Sequence, residues 1–369
     1  MKVLMLSTDK NALNADSEVR LRFIEYGKYF DELHILVLNV GGGERKEEIA
    51  KGVWIYATDS FMKVLVPFDA IKIGTRIAKK AGVGVVTAQD PFEVGEVGVQ
   101  IAKKVGAKLH IQVHTDPTSP WFMKSNPKNV ARVGLMMRVL KKADAIRVVS
   151  ERVKRGLKSK VVDIVEPSVL PIVHGLVAVQ PEKGKPRFPF TILCMGRLEK
   201  EKHWSVAIDV LVEAQKSFPG AGIVFVADGS ERERLKGYAR SKGLQDSVYF
   251  AGWSTKPHEW FGKVHCLLHT GAYEGYGRVL IEAALAKVPI VTTDVGVVGE
   301  VFRLGQDVFA CPVDDVACLS AGVRELMNNT YIRETIPRQA FDQAVLHVAK
   351  YKNAAEMFAE DVKRAIVTK

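Results

Sequence analysis

The chain has little cysteine and no uninterrupted apolar run long enough to span a membrane. Its 369 residues hold four cysteines, Cys194, Cys266, Cys311 and Cys318, and no two form a CxxC pair. Three lie in apolar, strand-like runs, so buried free thiols in a reducing cytoplasm are the expectation. The most hydrophobic stretch, Val161 to Val179, is broken by Asp163, Glu166, Pro167, Pro171 and His174, which excludes a membrane span there. Met1-Lys2 leads directly into a short apolar run and then Ser7-Thr8-Asp9-Lys10, the pattern of a first strand and not of a signal peptide. A P-loop is missing. Gly41-Gly42-Gly43 follows a strand but lacks both the GxGxxG spacing and a helix start, which leaves a loop. The nine histidines show no metal-ligand spacing, so neither a metal nor a cofactor is expected.

What is present is a soluble composition, 47% hydrophobic and 26% charged, in a chain too long for one ordinary core. The net charge of +11 is uneven. Residues 1–180 hold 28 Lys and Arg against 19 Asp and Glu, or +9, and the remainder 25 against 23, or +2. A basic half beside a nearly neutral half points to an anionic partner such as a membrane surface or an acidic substrate. A solvated basic surface that aids solubility is the plainer alternative. Basic residues without interleaved aromatics or a known module argue against nucleic acid.

Short Val-, Ile- and Leu-rich runs alternate with amphipathic segments throughout. The first half offers strands at Val3–Leu6, His34–Leu38, Val53–Tyr56, Val83–Thr87, Leu109–Val113 and Ala145–Val149. The second offers Phe190–Met195, Gly222–Ala227, Val248–Phe250, His265–His269, Pro289–Thr292 and Val308–Cys311. Apolar runs without alternation predict strands buried on both faces of parallel sheets, with helices such as Val206–Lys216, Arg232–Ser241 and Val279–Ala286 between them. The expected fold class is therefore α/β, with two Rossmann-like, doubly wound domains. The expected boundaries are 1–175 for the first domain and 188–352 for the second. The proline-rich stretch 176–187 is the expected linker.

Two βα segments of the second half bear chemistry. Gly271-Ala-Tyr-Glu274-Gly275-Tyr276-Gly277-Arg278, continuing to Glu282, follows a strand and opens a helix, so backbone N–H groups face a glycine turn suited to phosphate. Spacing alone leaves Glu274 and Glu282 open to an ordinary loop-and-helix reading. Gly196-Arg197-Leu198 with Lys202 places two cations after the strand that opens this half, where a diphosphate clamp sits in open α/β sheets. Taken alone, that is a basic loop.

Together these segments resemble glycosyltransferase family 4, a retaining family of the GT-B fold. Glu274 and Glu282 match its E-x7-E motif, and Gly196-Arg197-Leu198 with Lys202 its donor loop. Val226-Ala-Asp228-Gly229, Phe250-Ala-Gly252-Trp253 and Pro289-Ile-Val-Thr with Gly299-Glu300 match the connecting segments in order. The first half is more loosely similar, through Ile111-Gln-Val-His114 and Ala143 to Glu151; paired glycines after the first strand and a P-x-G-V-D hinge segment are missing.

The resemblance implies two domains facing across a cleft, with a C-terminal helix near 353–369 returning to the first, acceptor-side domain. It implies transfer of a sugar from a nucleotide-diphosphate-sugar to a hydroxyl acceptor: a glycan, a lipid-linked sugar or a small molecule. Arg197, Lys202 and His114 would act at the reacting centre with Glu274. Gly196, Asp228, Gly229, Gly252, Trp253, Gly275, Tyr276, Gly277, Arg278 and Glu282 would complete the donor site. A nucleotide-sugar epimerase and a catalytically silent nucleotide-sugar-binding subunit are the competing readings. The expected location is the cytoplasm, with peripheral docking at the inner membrane face through apolar Trp121, Phe122, Met123, Leu135, Met136 and Met137 among basic neighbours.

Overall fold

The structure is a computed structural model that describes residues 1–367 apart from Glu44 and Thr255. The chain forms two units: Met1–Gly175 together with the chain from Asn353, and Leu176–Lys352. The strands of the first are β1 (Lys2–Ser7), β2 (Glu32–Val37), β3 (Lys46–Ala50), β4 (Val53–Ala57), β5 (Val85–Ala88), β6 (Lys108–Val113), β7 (Ala145–Val148) and β8 (Ser168–Val169). They make one sheet in the order β3-β4-β2-β1-β5-β6-β7-β8, parallel except for β3, which pairs antiparallel with β4 at the edge. The second unit has β9 (Phe190–Met195), β10 (Ala221–Val226), β11 (Val248–Phe250), β12 (Cys266–His269), β13 (Ile290–Thr293) and β14 (Phe309–Cys311). Its sheet is parallel throughout, in the order β11-β10-β9-β12-β13-β14.

The apolar runs fold as their composition requires. Every residue of β9 and β10 is buried, because helices cover both faces. In each sheet the chain winds one way and then the other, so strand order reverses between β1 and β5 in the first unit and between β9 and β12 in the second. Ligands of open α/β sheets bind beyond the carboxyl ends of the strands at such reversals.

The helix Ala354–Val367 packs within the first unit. Phe358 is buried and stacks on Tyr26 with ring centroids 4.3 Å apart. Buried Asp361 meets His110 Nε2 at 3.0 Å and accepts from Ser168 Oγ. Arg147 is buried nearby and donates to the carbonyls of Leu170 and Pro171 and to Gln112 Oε1. These contacts give each buried charge a hydrogen-bonding partner. Residues 176–187 form neither helix nor strand and run along the second unit, where the Gly184 N–H donates to the Gly262 carbonyl at 3.0 Å.

One sequence expectation is corrected. Cys311 and Cys318 are joined in a disulfide, leaving only Cys194 and Cys266 as buried thiols. Cys311 ends β14 and Cys318 lies in the first turn of the helix Val316–Asn328, so a tight connection brings them together. The apolar residues proposed for membrane docking do not form an exposed face. Phe122 and Met136 are buried, Phe122 stacks on Phe92 at 5.6 Å, and Trp121, Met123, Leu135 and Met137 are half-buried. Among the described residues no helix is long and apolar enough to cross a membrane.

Candidate donor site in the second unit

Beyond β9 the chain turns sharply at Gly196, whose φ of +144° suits glycine alone. Leu198 is then drawn into the core, its N–H donating to the Asp228 carbonyl at 2.8 Å. Gly229 follows at φ +154°; a Cβ there would lie 2.6 Å from the Leu198 carbonyl oxygen, so the two loops approach at glycine distance. Trp204, fully buried beneath the loop, donates its indole N–H to the Arg197 carbonyl at 2.9 Å. The loops after β9 and β12 are also tied together: Thr270 Oγ1 donates to the Lys202 carbonyl at 2.8 Å, and the Ala272 N–H to the Glu201 carbonyl at 2.8 Å.

At this junction Lys202 Nζ forms an ion pair with Glu274 Oε1, and His269 Nε2 lies 3.0 Å from the same oxygen. Burial alone would raise the Glu274 carboxyl, but the Lys202 ammonium and the His269 hydrogen bond outweigh it and hold the group well below the usual carboxylate range. Burial pushes His269 the other way, toward the neutral imidazole. Glu274 is thus an ionised acceptor fixed from two sides. Gly277, at φ +82°, then starts the helix Arg278–Leu285. Gly296 at φ +57° lies so close that a Cβ would sit 2.4 Å from the Tyr276 carbonyl oxygen. Within the helix Glu282 accepts from Arg278 Nε at 2.7 Å, and the Tyr276 hydroxyl lies 2.9 Å from His347 Nε2.

The structure therefore joins Lys202 with Glu274, sets Gly196 beside Trp204 and Gly229 against the Leu198 backbone, and places Gly275 between Glu274 and Tyr276. Arg197 is not part of the Glu274 cluster; its side chain is 67% exposed and meets Glu201 at 3.0 Å. Asp228 accepts from Arg232 at 2.9 Å, Gly252 takes φ +84°, and Trp253 is exposed. His114 lies in the first unit just past β6, with Nε2 3.1 Å from Gln112 Oε1. Burial, with help from the Arg147 and Arg22 charges, pushes it down to about 3, so its imidazole is neutral.

The sequence pattern singles out none of His269, Thr270 and Asp314. The signal for His269 was a polar residue at the end of an otherwise apolar strand, which reads equally well as core. Asp314 accepts from His203 Nδ1 at 2.6 Å and so props the residue after Lys202; nothing in the sequence pairs positions so far apart. No group of three or more His, Cys, Asp or Glu side chains suited to a metal occurs among the described residues.

Two doubly wound, mostly parallel-sheet units in one chain are the parts of the GT-B fold. Residues 179–344 match the family model of glycosyl transferases group 1. The chain is 32% identical to the glycogen synthase of Mycobacterium tuberculosis over 148 residues, 38% of this chain and 34% of that enzyme. It thus spans about a third of the length of that curated relative. Its fold superposes on sucrose-phosphate synthase from Thermosynechococcus elongatus with a TM-score of 0.83 over 100% of both chains, at 15% identity. The Anabaena protein HepE in complex with UDP-glucose gives a TM-score of 0.74 over 98% of this chain and 100% of that one, at 17% identity. The chain has the GT-B fold, and its second unit is similar to glycosyl transferases group 1.

Proposed function

We propose that the protein is a retaining glycosyltransferase that moves a sugar from a nucleotide-diphosphate donor to a hydroxyl acceptor in cell-envelope glycan synthesis, working at the cytoplasmic face of a membrane. The observation that carries this reading is the Lys202–Glu274–His269 cluster at the strand reversal of the second unit. Lys202 and Arg197 hold the donor diphosphate, with the backbone at Gly275–Arg278 completing the cradle. Glu274, kept ionised, accepts a hydroxyl of the transferred sugar, and Glu282 accepts from the ribose. The neutral imidazole of His114 suits a hydrogen bond to a sugar hydroxyl.

In the transfer step the acceptor oxygen bonds to the anomeric carbon on the face the diphosphate leaves. The bond from that carbon to the phosphate oxygen breaks with its electron pair on the oxygen, which takes the acceptor proton. The products are a glycoside of unchanged anomeric configuration and a nucleoside diphosphate. The protein contributes position and fixed charge to this step and no strong side-chain base. The presence of UDP-glucose in HepE makes uridine nucleotides the first to test. Screening nucleotide sugars for release of free nucleoside diphosphate, then reading product configuration by proton NMR, is the experiment. Release with retention is expected; an inverted product contradicts the mechanism.

A further inference from the structure

The first unit holds a second constellation, and it is built differently. A cavity of about 780 Å³ opens at its strand reversal, lined by Thr8 and Lys10 after β1, Leu38 to Val40 after β2 and Asp90 after β5. Lys63 and Lys128 also line it. Among the described residues, no carboxylate lies within ion-pair distance of the Lys10, Lys63 or Lys128 ammonium groups. The fourth cation, Arg132, is already held by Glu93 through contacts of 2.7–3.1 Å. Asp90 accepts from the Phe92 N–H at 2.8 Å, and burial raises its carboxyl to about 6. Four cations against the two carboxyl groups of Asp90 and Glu93 leave the pocket with surplus positive charge, and Asp90 is the buried acceptor among them.

Lys63 belongs also to an exposed apolar segment that leads into the helix Val66–Ala81. Phe61 and Phe68 are 85% and 68% exposed, and Met62, Val64 and Leu65 are exposed with them. Five exposed apolar side chains within eight residues form a patch of the kind that soluble proteins keep for binding. The pocket's cations and this patch share Lys63, so charge and hydrocarbon are offered side by side.

We infer that this pocket takes the acceptor and that the acceptor is an anionic amphiphile. Its phosphate-bearing head lies among Lys10, Lys63 and Lys128, a head-group hydroxyl faces Asp90, and its chain runs over Phe61, Met62, Val64, Leu65 and Phe68. The inference rests on the transferase reading, to which it adds the acceptor's chemical class. Apolar contact and charge must act together, because a single hydrocarbon chain gives only marginal membrane binding without a basic partner.

The test is calorimetric titration of the full chain with three probes: dihexanoyl phosphatidic acid below its micellar concentration, the neutral dihexanoyl glycerol, and inorganic phosphate. Two variants accompany the wild type, Lys10→Gln/Lys63→Gln/Lys128→Gln and Phe61→Ser/Phe68→Ser, all at exposed positions that leave the core untouched. Phosphatidate is expected to saturate, to outbind both other probes at least tenfold, and to lose at least tenfold in either variant. Equal binding of the neutral glyceride, equal binding of inorganic phosphate, or unchanged phosphatidate affinity in the lysine variant overturns the inference. Uridine diphosphate titrated into the same proteins separates the two readings. Intact nucleotide binding with no phosphatidate site sinks only the acceptor class, whereas the transferase reading falls if no nucleoside diphosphate binds.

Discussion

In the second unit the charges at the strand reversal are matched: Lys202 with Glu274, Arg278 with Glu282, His203 with Asp314. In the first unit the corresponding position offers three lysines that have no carboxylate partner among the described residues, beside exposed phenylalanines. A lysine in water loses little by standing alone. Exposed apolar side chains do cost free energy, about 25 cal/mol for each Å² left in water. The second unit is thus organised around fixed hydrogen-bonding geometry, and the first presents lysine charge and exposed hydrocarbon side by side.

The largest effect expected lies in the packing of the last helix within the first unit. Asp361 is buried and bound by His110, Ser168 and Arg364. Burial alone would raise its carboxyl, but the His110 and Ser168 hydrogen bonds and the Arg147 charge bring it to about 2, below the ordinary 3.8. Its stabilisation is therefore full above that ordinary value and lost as the pH falls through about 2. Asp361→Ala should cost about 3–5 kcal/mol, since it strands a buried partner. Urea denaturation followed by circular dichroism measures this; a loss under about 1 kcal/mol contradicts the assignment.

Next is the donor clamp. Lys202→Ala should lower nucleotide-sugar turnover about 10²–10³-fold, the usual effect of removing one preorganised donor from a developing oxyanion. Arg197→Ala should cost less, because its side chain is largely in solvent. Turnover near wild type in both would remove them from the site.

A smaller effect sharpens the comparison from the first unit. Asp90 is raised by burial to about 6, so the folded chain holds its proton more tightly than the unfolded chain. The stability it contributes is full below the ordinary value of 3.8 and lost as the pH rises through about 6. Asp90→Asn should accordingly gain up to about 3 kcal/mol at neutral pH and nothing in acid. Equal stability of variant and wild type at both pH values would show that the carboxylate is not held in a charge-disfavouring pocket.

How much of this was legible in the sequence differs between the units for a physical reason. All six apolar runs of the second half are strands, and the glycine-bearing loops beyond β9 and β12 were found because tight backbone approach forces residue type. In the first half, β3 escaped because Lys46-Glu-Glu-Ile-Ala is a polar edge strand, and β8 because two residues make no pattern. The disulfide depends on proximity across a turn. Trp121 to Met137 read as a docking surface because apolar residues beside lysines look the same whether they face core or solvent. The patch at Phe61 to Phe68 went unseen for the same reason, since periodicity does not report exposure.

The central claim is that the second unit binds a nucleotide-diphosphate-sugar with Glu282 at the ribose and Glu274 at the sugar. Calorimetry with nucleoside diphosphates on wild type, Glu282→Ala and Glu274→Ala, alongside turnover of the matching nucleotide sugar, tests it most directly. The expected result is saturable binding that weakens roughly tenfold or more in Glu282→Ala, while Glu274→Ala keeps nucleotide affinity and loses transfer rate. Wild-type affinity in Glu282→Ala, or undiminished transfer in Glu274→Ala, would contradict it.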